Sequence, residues 1–435
     1  MQQGTFFFPS QIVPPEYFVG RSNEIATAFD QISGNGASRG HLAIWGGTGM
    51  GKSSFLELLT APQVWQWHNQ DHTNAVIVKL SCWTLAPFTP AAFWREVLSL
   101  FQDELAAENP LYGELKTLLA EEPVTVNHLR QALKQLGQQG KFLLLLAGDY
   151  DVALRPNASY SDEDMETFLN DCRNLASHHR EKKFFSMVVT TLRPLDTLGP
   201  EITPDRSPWF NHYLYLSLGP LTDVEVDALL SGMPMTPALK EVIRQIAGGN
   251  PTLLQNAGYV LYSRLRVGKV PTAEEFFADF LDRTQQYFRK TWAVIDEVER
   301  TLLMLIALSG LKGRLRNRHY DLGDVDRIFS QKERELIDLS RWGVVVRKMH
   351  QSKVTYSFAS SVMEWWVIKE IEELAGDTQK TLEDRQKVFL NLMSKKQATQ
   401  VTNAILYLWD HREEIPAIAE WLGKLAGAFS KGFVA

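Results

Sequence analysis

Residues 41–54 read HLAIWGGTGMGKSS, and no other stretch of the chain narrows its possible folds as sharply. Gly46 and Gly51 bracket Gly47, Thr48, Gly49 and Met50, and Lys52 and Ser53 follow. This is the phosphate-loop (Walker A) pattern G-x-x-x-x-G-K-[ST], which has to follow a strand and open a helix. The apolar HLAIW supplies the strand and SFLELL the helix. Glycines let backbone N–H groups turn inward around phosphate oxygens without a Cβ in the way. Lys52 brings a point charge to the terminal phosphates, and Ser53, with Ser54 beside it, brings a hydroxyl to Mg²⁺. The helix N-terminus adds its dipole. The expected ligands are ATP or ADP with Mg²⁺.

Strand-like runs recur at residues 41–45, 75–83, 142–147, 184–191 and 212–218, with amphipathic helical patterns such as 90–108 and 126–136 between them. That alternation predicts a parallel sheet covered on both faces. After Pro220 the period becomes helical. In TDVEVDALL, Thr222 and Glu225 stand three apart as a capping box requires, and about four helices fit between residues 222 and 282. Helices followed by the strand-like GVVVRKM and KVTYSF, joined around His350, Gln351 and Ser352, suggest a winged helix. Expected domains are 1–220, 221–290, 291–375 and 376–435.

Phosphoryl transfer also needs an acid for the metal and a group to orient water. FLLLLAGDYD offers Asp149 and Asp151 at the end of a strand. The next strand, SMVVTTLRP, ends in Thr190, Thr191 and Arg193, polar groups able to reach a γ-phosphate or a water.

With these residues in view, the chain resembles the STAND class of P-loop NTPases, relatives of AAA+ and initiator-type ATPases, over about residues 8–375. Phe18, Val19, Gly20 and Arg21 look like the FVGR box that packs near the adenine. LSLGPLTDVEVDALL looks like the entry to the helical lid, and Gly249-Asn250-Pro251 is similar to the GxP motif where the lid approaches the nucleotide. The resemblance implies a three-layer AAA+-like α/β domain with an extra strand between the phosphate-loop strand and the acidic one. A helical lid, a winged helix and a C-terminal helical adaptor would follow. It further implies a nucleotide-dependent switch, homo-oligomerisation on activation, and a protein partner or effector in signalling or defence. One departure concerns the acids. Either Gly148 stands where the metal-associated aspartate belongs and Asp149 is the second acid, or Ala147-Gly148 form a small bulge and Asp149 is the metal-associated one. Hydrolysis is therefore expected to be slow, and binding is the firmer expectation.

Composition bounds the rest. Hydrophobic residues make up 45% and charged residues 22% of 435, which fits a multidomain globular protein. The net charge of −6 argues against a generally basic nucleic-acid binder. Residues 296–373 hold 13 Lys/Arg and 13 Asp/Glu, so DNA is a secondary expectation resting on Lys312, Arg314, Arg316 and Arg318, with Arg347, Lys348 and Lys353 at the wing. Trp365 and Trp366 are expected in that module's core. Two cysteines, Cys82 and Cys172, suit buried thiols in a reduced compartment. MQQGTFFFPSQ has no basic stretch before its apolar triplet, so a cytoplasmic location is expected. Residues 415–433 could dock as a terminal helix or lie on a membrane surface; docking is the expectation. His68 and His72 stand one helical turn apart, as on a solvated helix face, and Ser161 is placed to cap a helix opening with Asp162, Glu163 and Asp164.

Overall fold

A computed structural model describes residues 7–34, 38–201, 207–231, 233, 235–312, 320–350, 353–376, 379–410 and 417–430. The chain forms two compact units: an α/β unit of Ile12–Gly46 and Gly51–Leu218, and a helical unit of Met1–Gln11, Gly47–Met50 and Gly219–Ala435.

The α/β unit runs α1 (Ser22–Ser33), β1 (His41–Trp45), α2 (Lys52–Leu58), α3 (Pro62–Trp67), β2 (Ala75–Ser81), α4 (Pro90–Asp103), α5 (Pro110–Leu119), α6 (Val126–Gln138), β3 (Phe142–Gly148), α7 (Asp162–Ser177), β4 (Phe185–Thr191) and β5 (Tyr213–Ser217). The strands form one sheet in the order β2-β3-β4-β1-β5, every pairing parallel. The fold is thus α/β with a parallel P-loop-type sheet, and β4 is the extra strand between β1 and β3. Burial explains the strand sequences. β1, β3 and β4 are buried at every position, as strands covered on both faces are; β3 reads as an unbroken apolar run, while β1 and β4 bury His41, Ser186, Thr190 and Thr191 among apolar residues. The edge strand β2 alternates in exposure. Phe88, Phe93, Trp94, Tyr150, Tyr160 and Phe168, each 2% exposed or less, join the region after β2 to α4 and α7 in one aromatic cluster.

Local signals in this unit largely behave as physical chemistry asks. Ser161 caps α7, accepting the N–H of Asp164, which bonds back to it. Both cysteines are buried thiols. The two histidines differ from expectation, because Pro62 starts a helix of only six residues that stops at Trp67. His68 stacks on Phe29 at 4.5 Å, and His72 Nε2 lies 3.2 Å from Thr60 O, so no shared helix face exists.

The helical unit contains α8 (Asp223–Leu230), α9 (Pro237–Ala247), α10 (Pro251–Leu265), α11 (Ala273–Val294), α12 (Glu297–Leu311), α13 (Val325–Gln331), α14 (Glu333–Arg341), β6 (Val345–His350), β7 (Lys353–Phe358), α15 (Ser361–Gly376), α16 (Gln379–Leu392), α17 (Lys395–Asp410) and α18 (Ala417–Ser430). The Thr222–Glu225 capping box forms. α11 continues unbroken past residue 290, so a border at 290/291 would fall inside a helix. Three helices, the antiparallel β6–β7 hairpin and α15 follow in winged-helix order. Its turn residues 351–352 and the basic residues Arg314, Arg316 and Arg318 lie outside the described residues. Trp365 and Trp366 are half-buried rather than core, packing on Phe277 and Phe288 of α11. α18 docks on α9 and α11, with Phe429 5.8 Å from the ring of Phe276. No described helix is long and apolar enough to cross a membrane. At the other end of the chain Phe7 is buried, its ring filling the space that a side chain at Gly258 of α10 would need, and the Phe8 N–H donates to Gln255 Oε1 at 2.9 Å.

Candidate functional site

The phosphate loop lies between β1 and α2. Gly49 and Gly51 both take positive φ, +76° and +89°, which favours glycine; Gly51 is the N-cap of α2. In the α/β unit Gly46 is fixed by close approach: an added Cβ would stand 2.4 Å from Leu218 O. Its N–H donates to Thr191 O at 3.3 Å. Lys52 Nζ donates to Gly46 O at 2.6 Å, folding the lysine back over the loop it belongs to. Ser53 is exposed. Ser54, named beside it from sequence, is buried, and its hydroxyl accepts the N–H of Val13 at 3.0 Å, which ties down the N-terminal segment.

The acids come from the neighbouring strand. β2 and β3 pair residue for residue from Ala75–Phe142 to Ser81–Gly148, so Ala147-Gly148 form no bulge, and Gly148 is the last paired residue. Asp149 then leaves the strand in the left-handed region at φ 52°, a conformation that costs a non-glycine residue about 1–2 kcal/mol and that gathers at functional sites. Two bonds hold it there: its N–H donates to Thr190 Oγ1 at 3.1 Å, and Ser81 Oγ donates to its Oδ2 at 2.6 Å. Asp151 is 9% exposed and accepts the Leu192 N–H with both oxygens, at 3.1 and 3.2 Å. Burial pushes its carboxyl above the usual range, opposed by that N–H and by Lys52.

Burial lowers the Lys52 ammonium to about 8 against the pull of Asp151 and Asp149. Between there and the ordinary 10.5 the unfolded chain holds the proton and the folded one does not, so Lys52 makes the nucleotide-free protein gain stability as pH rises across that window. A polyphosphate beside Lys52 would restore the proton. Nucleotide binding at pH 8.5 should therefore take up roughly three-quarters of a proton, against about a tenth at pH 7, read by calorimetry in buffers of different ionisation enthalpy. Equal uptake at both pH values would place the lysine's titration elsewhere.

Thr191 is fully buried, and its hydroxyl donates to Arg193 O at 2.7 Å. The threonine that meets an acid is Thr190. Phe18 packs edge-on to Phe55 of α2 at 6.3 Å. Val19 leads into Gly20 and Arg21, which both take positive φ, and Arg21 is the N-cap of α1, with Arg21 Nη1 3.5 Å from Glu24. Ser81 was missed in the sequence because strand register, the one thing that brings it to Asp149, is not written locally.

Within the helical unit Gly47, Thr48, Gly49 and Met50 sit among Trp342, Gly343, Asn250, Thr252 and Tyr287. Gly248 and Gly249 both take positive φ and end α9; Asn250 caps α10, and Pro251 occupies its first turn. The GNP turn thus serves as a helix-to-helix corner that delivers Asn250.

No family model matches the chain, and no curated protein sequence matches it. Among solved structures it is similar to a Walker-type ATPase of Pyrococcus abyssi, with a TM-score of 0.52 and 14% identity over 84% of this chain and 99% of that one. The Aeropyrum pernix ORC2 protein in ADPNP–ADP complexes gives 0.49 and 14%, over 94% and 99%. The ORC1 protein of the same organism in complex with DNA gives 0.39 and 12%, over 81% and 93%. The first likeness shows a shared fold.

Proposed function

We propose that the chain is a nucleotide-binding protein of the P-loop ATPase kind, holding ATP or ADP on residues 46–53 and converting the nucleotide's state into a change of conformation. The observation that carries this reading is the loop itself: left-handed glycines between a buried parallel strand and a helix N-terminus, with Lys52 in the electrostatic field of Asp151 and Asp149. Lys52 would bind the terminal phosphates, and the Phe18–Arg21 segment would flank the base. Mg²⁺ fits the donor set, since Ser53 offers an exposed hydroxyl and Asp149 a carboxylate already oriented by Ser81. When bound it would neutralise charge on the β- and γ-phosphates. Asp149, Thr190 and Arg193 would orient water, with Asp151 and Thr191 holding their surroundings. Slow hydrolysis follows from Gly148 at the strand's end, where the metal-associated carboxylate would otherwise stand, which would leave Asp149 to serve the metal alone.

The signal would be self-association or exposure of a surface for a protein partner, in signalling or defence. Nucleotide extracted from the purified protein, followed by turnover and solution mass with and without ATP, tests this. Bound ADP or ATP and a nucleotide-dependent mass support it; a protein that binds neither would end it. A second reading is an AAA+-like ATPase acting on duplex DNA. The observation favouring it is the three-helix-plus-hairpin module whose hairpin exposes Arg347, Lys348 and Met349. Salt-dependent retention on DNA that weakens when Arg314, Arg316 and Arg318 are replaced supports it; no retention at low salt sinks it.

A further inference from the structure

A phosphate loop binds by its N–H groups, so its carbonyls must face elsewhere and need partners of their own. In the helical unit two of them have such partners. Asn250 Nδ2 donates to Thr48 O at 3.3 Å, while the backbone N–H and the hydroxyl of Thr252 donate to Gly49 O at 3.2 and 3.1 Å. Asn250 is 1% exposed and fully engaged: its other amide hydrogen meets Tyr287 OH at 2.9 Å, and its Oδ1 accepts the N–H of Leu253 as the cap of α10. The fit is close enough to dictate the loop's sequence. A Cβ on Gly49 would stand 2.8 Å from Thr252 Oγ1 and 3.0 Å from Tyr287 Cε2, so Gly49 is required by contact as well as by its positive φ.

A trans peptide sets the direction of each N–H opposite to the preceding C=O. Holding Thr48 O therefore aims the Gly49 N–H, and holding Gly49 O fixes the peptide of Met50, whose N–H meets Gly47 O at a long 3.4 Å in the nucleotide-free loop. We infer that Asn250 and Thr252, braced by Tyr287, are positioning residues that preset the phosphate loop's N–H groups for a nucleotide they do not touch. The inference rests on the proposed nucleotide binding, and it makes the start of α10 a control point for affinity. Preorganised donors need no rearrangement on binding, so loosening them weakens affinity without removing any ligand contact.

Asn250→Asp is the informative variant, since it keeps the capping oxygen but replaces the donor with an acceptor facing Thr48 O. It should weaken ATP and ADP binding at least 10-fold and speed amide hydrogen exchange across residues 47–51 of the nucleotide-free protein more than across the rest of the helical unit, with a melting temperature lowered by the buried carboxylate. Thr252→Val should do the same more weakly, about 3-fold, and Thr252→Ser should restore both readouts. Unchanged loop exchange in Asn250→Asp and Thr252→Val overturns the clasp; faster exchange with unchanged affinity overturns its positioning role. The exchange experiment needs no ligand. If the wild-type protein binds no nucleotide, the proposed function fails, while the clasp is still decided by loop exchange.

Discussion

Lys52→Ala should weaken ATP and ADP binding by at least 100-fold, about 2.7 kcal/mol, as read by calorimetry or by displacement of a fluorescent analogue. The size follows from the lysine's place. It is held back over Gly46 O, its charge disfavoured by burial, and only a polyphosphate restores full protonation and uses all its donors. Removing it takes away the one cation of the loop. The nucleotide-free fold should be untouched or slightly firmer near pH 7, because a buried ammonium is removed. A variant that keeps wild-type affinity and wild-type assembly would refute nucleotide binding at this loop.

The two aspartates should separate just as clearly. Asp149→Ala should abolish the Mg²⁺ dependence of binding and reduce any ATP turnover by 100-fold or more while leaving the melting temperature almost unchanged. Ser81, which donates to the lost carboxylate, is a hydroxyl that can rotate to another acceptor, and the bond from the residue-149 backbone N–H to Thr190 Oγ1 survives the substitution. Asp151→Ala should do the opposite. The Leu192 N–H would lose both acceptor oxygens in a buried place, at about 1–3 kcal/mol in stability, with Mg²⁺ dependence retained. Urea denaturation and magnesium titrations on both variants check this; the reverse pattern would make Asp151 the metal's acid.

What the sequence showed and what it hid divide along physical lines. The phosphate loop, the capping boxes at Thr222 and the strand cores could be read because each depends on residues adjacent in the chain. β1 occupies the expected residues 41–45, and β3 and β4 miss by a residue at one end. Register could not be read. In strands buried on both faces no alternation marks which side a residue takes, so Thr190 and Thr191 look equivalent in SMVVTT, and only pairing with β1 and β3 gives one to Asp149 and the other to Arg193 O. The two alignments of FLLLLAGDYD were open for the same reason. Ser81, Thr252 and Tyr287 carry no local signature at all. The border expected at 290 failed because α11 has neither proline nor glycine to stop it before Ile295.

The buried Phe7 bears on how the protein can be handled at the bench. Its ring rests on Gly258 and the next N–H is held by Gln255, while Val13 is held by Ser54, so residues 7–13 are structural rather than a trailing end. Affinity tags, fluorescent fusions and protease sites placed ahead of this segment need a spacer that leaves it intact. Trimming it to aid crystallisation would loosen the helix after the phosphate loop and expose the middle of α10, so a shortened version would report on a different molecule.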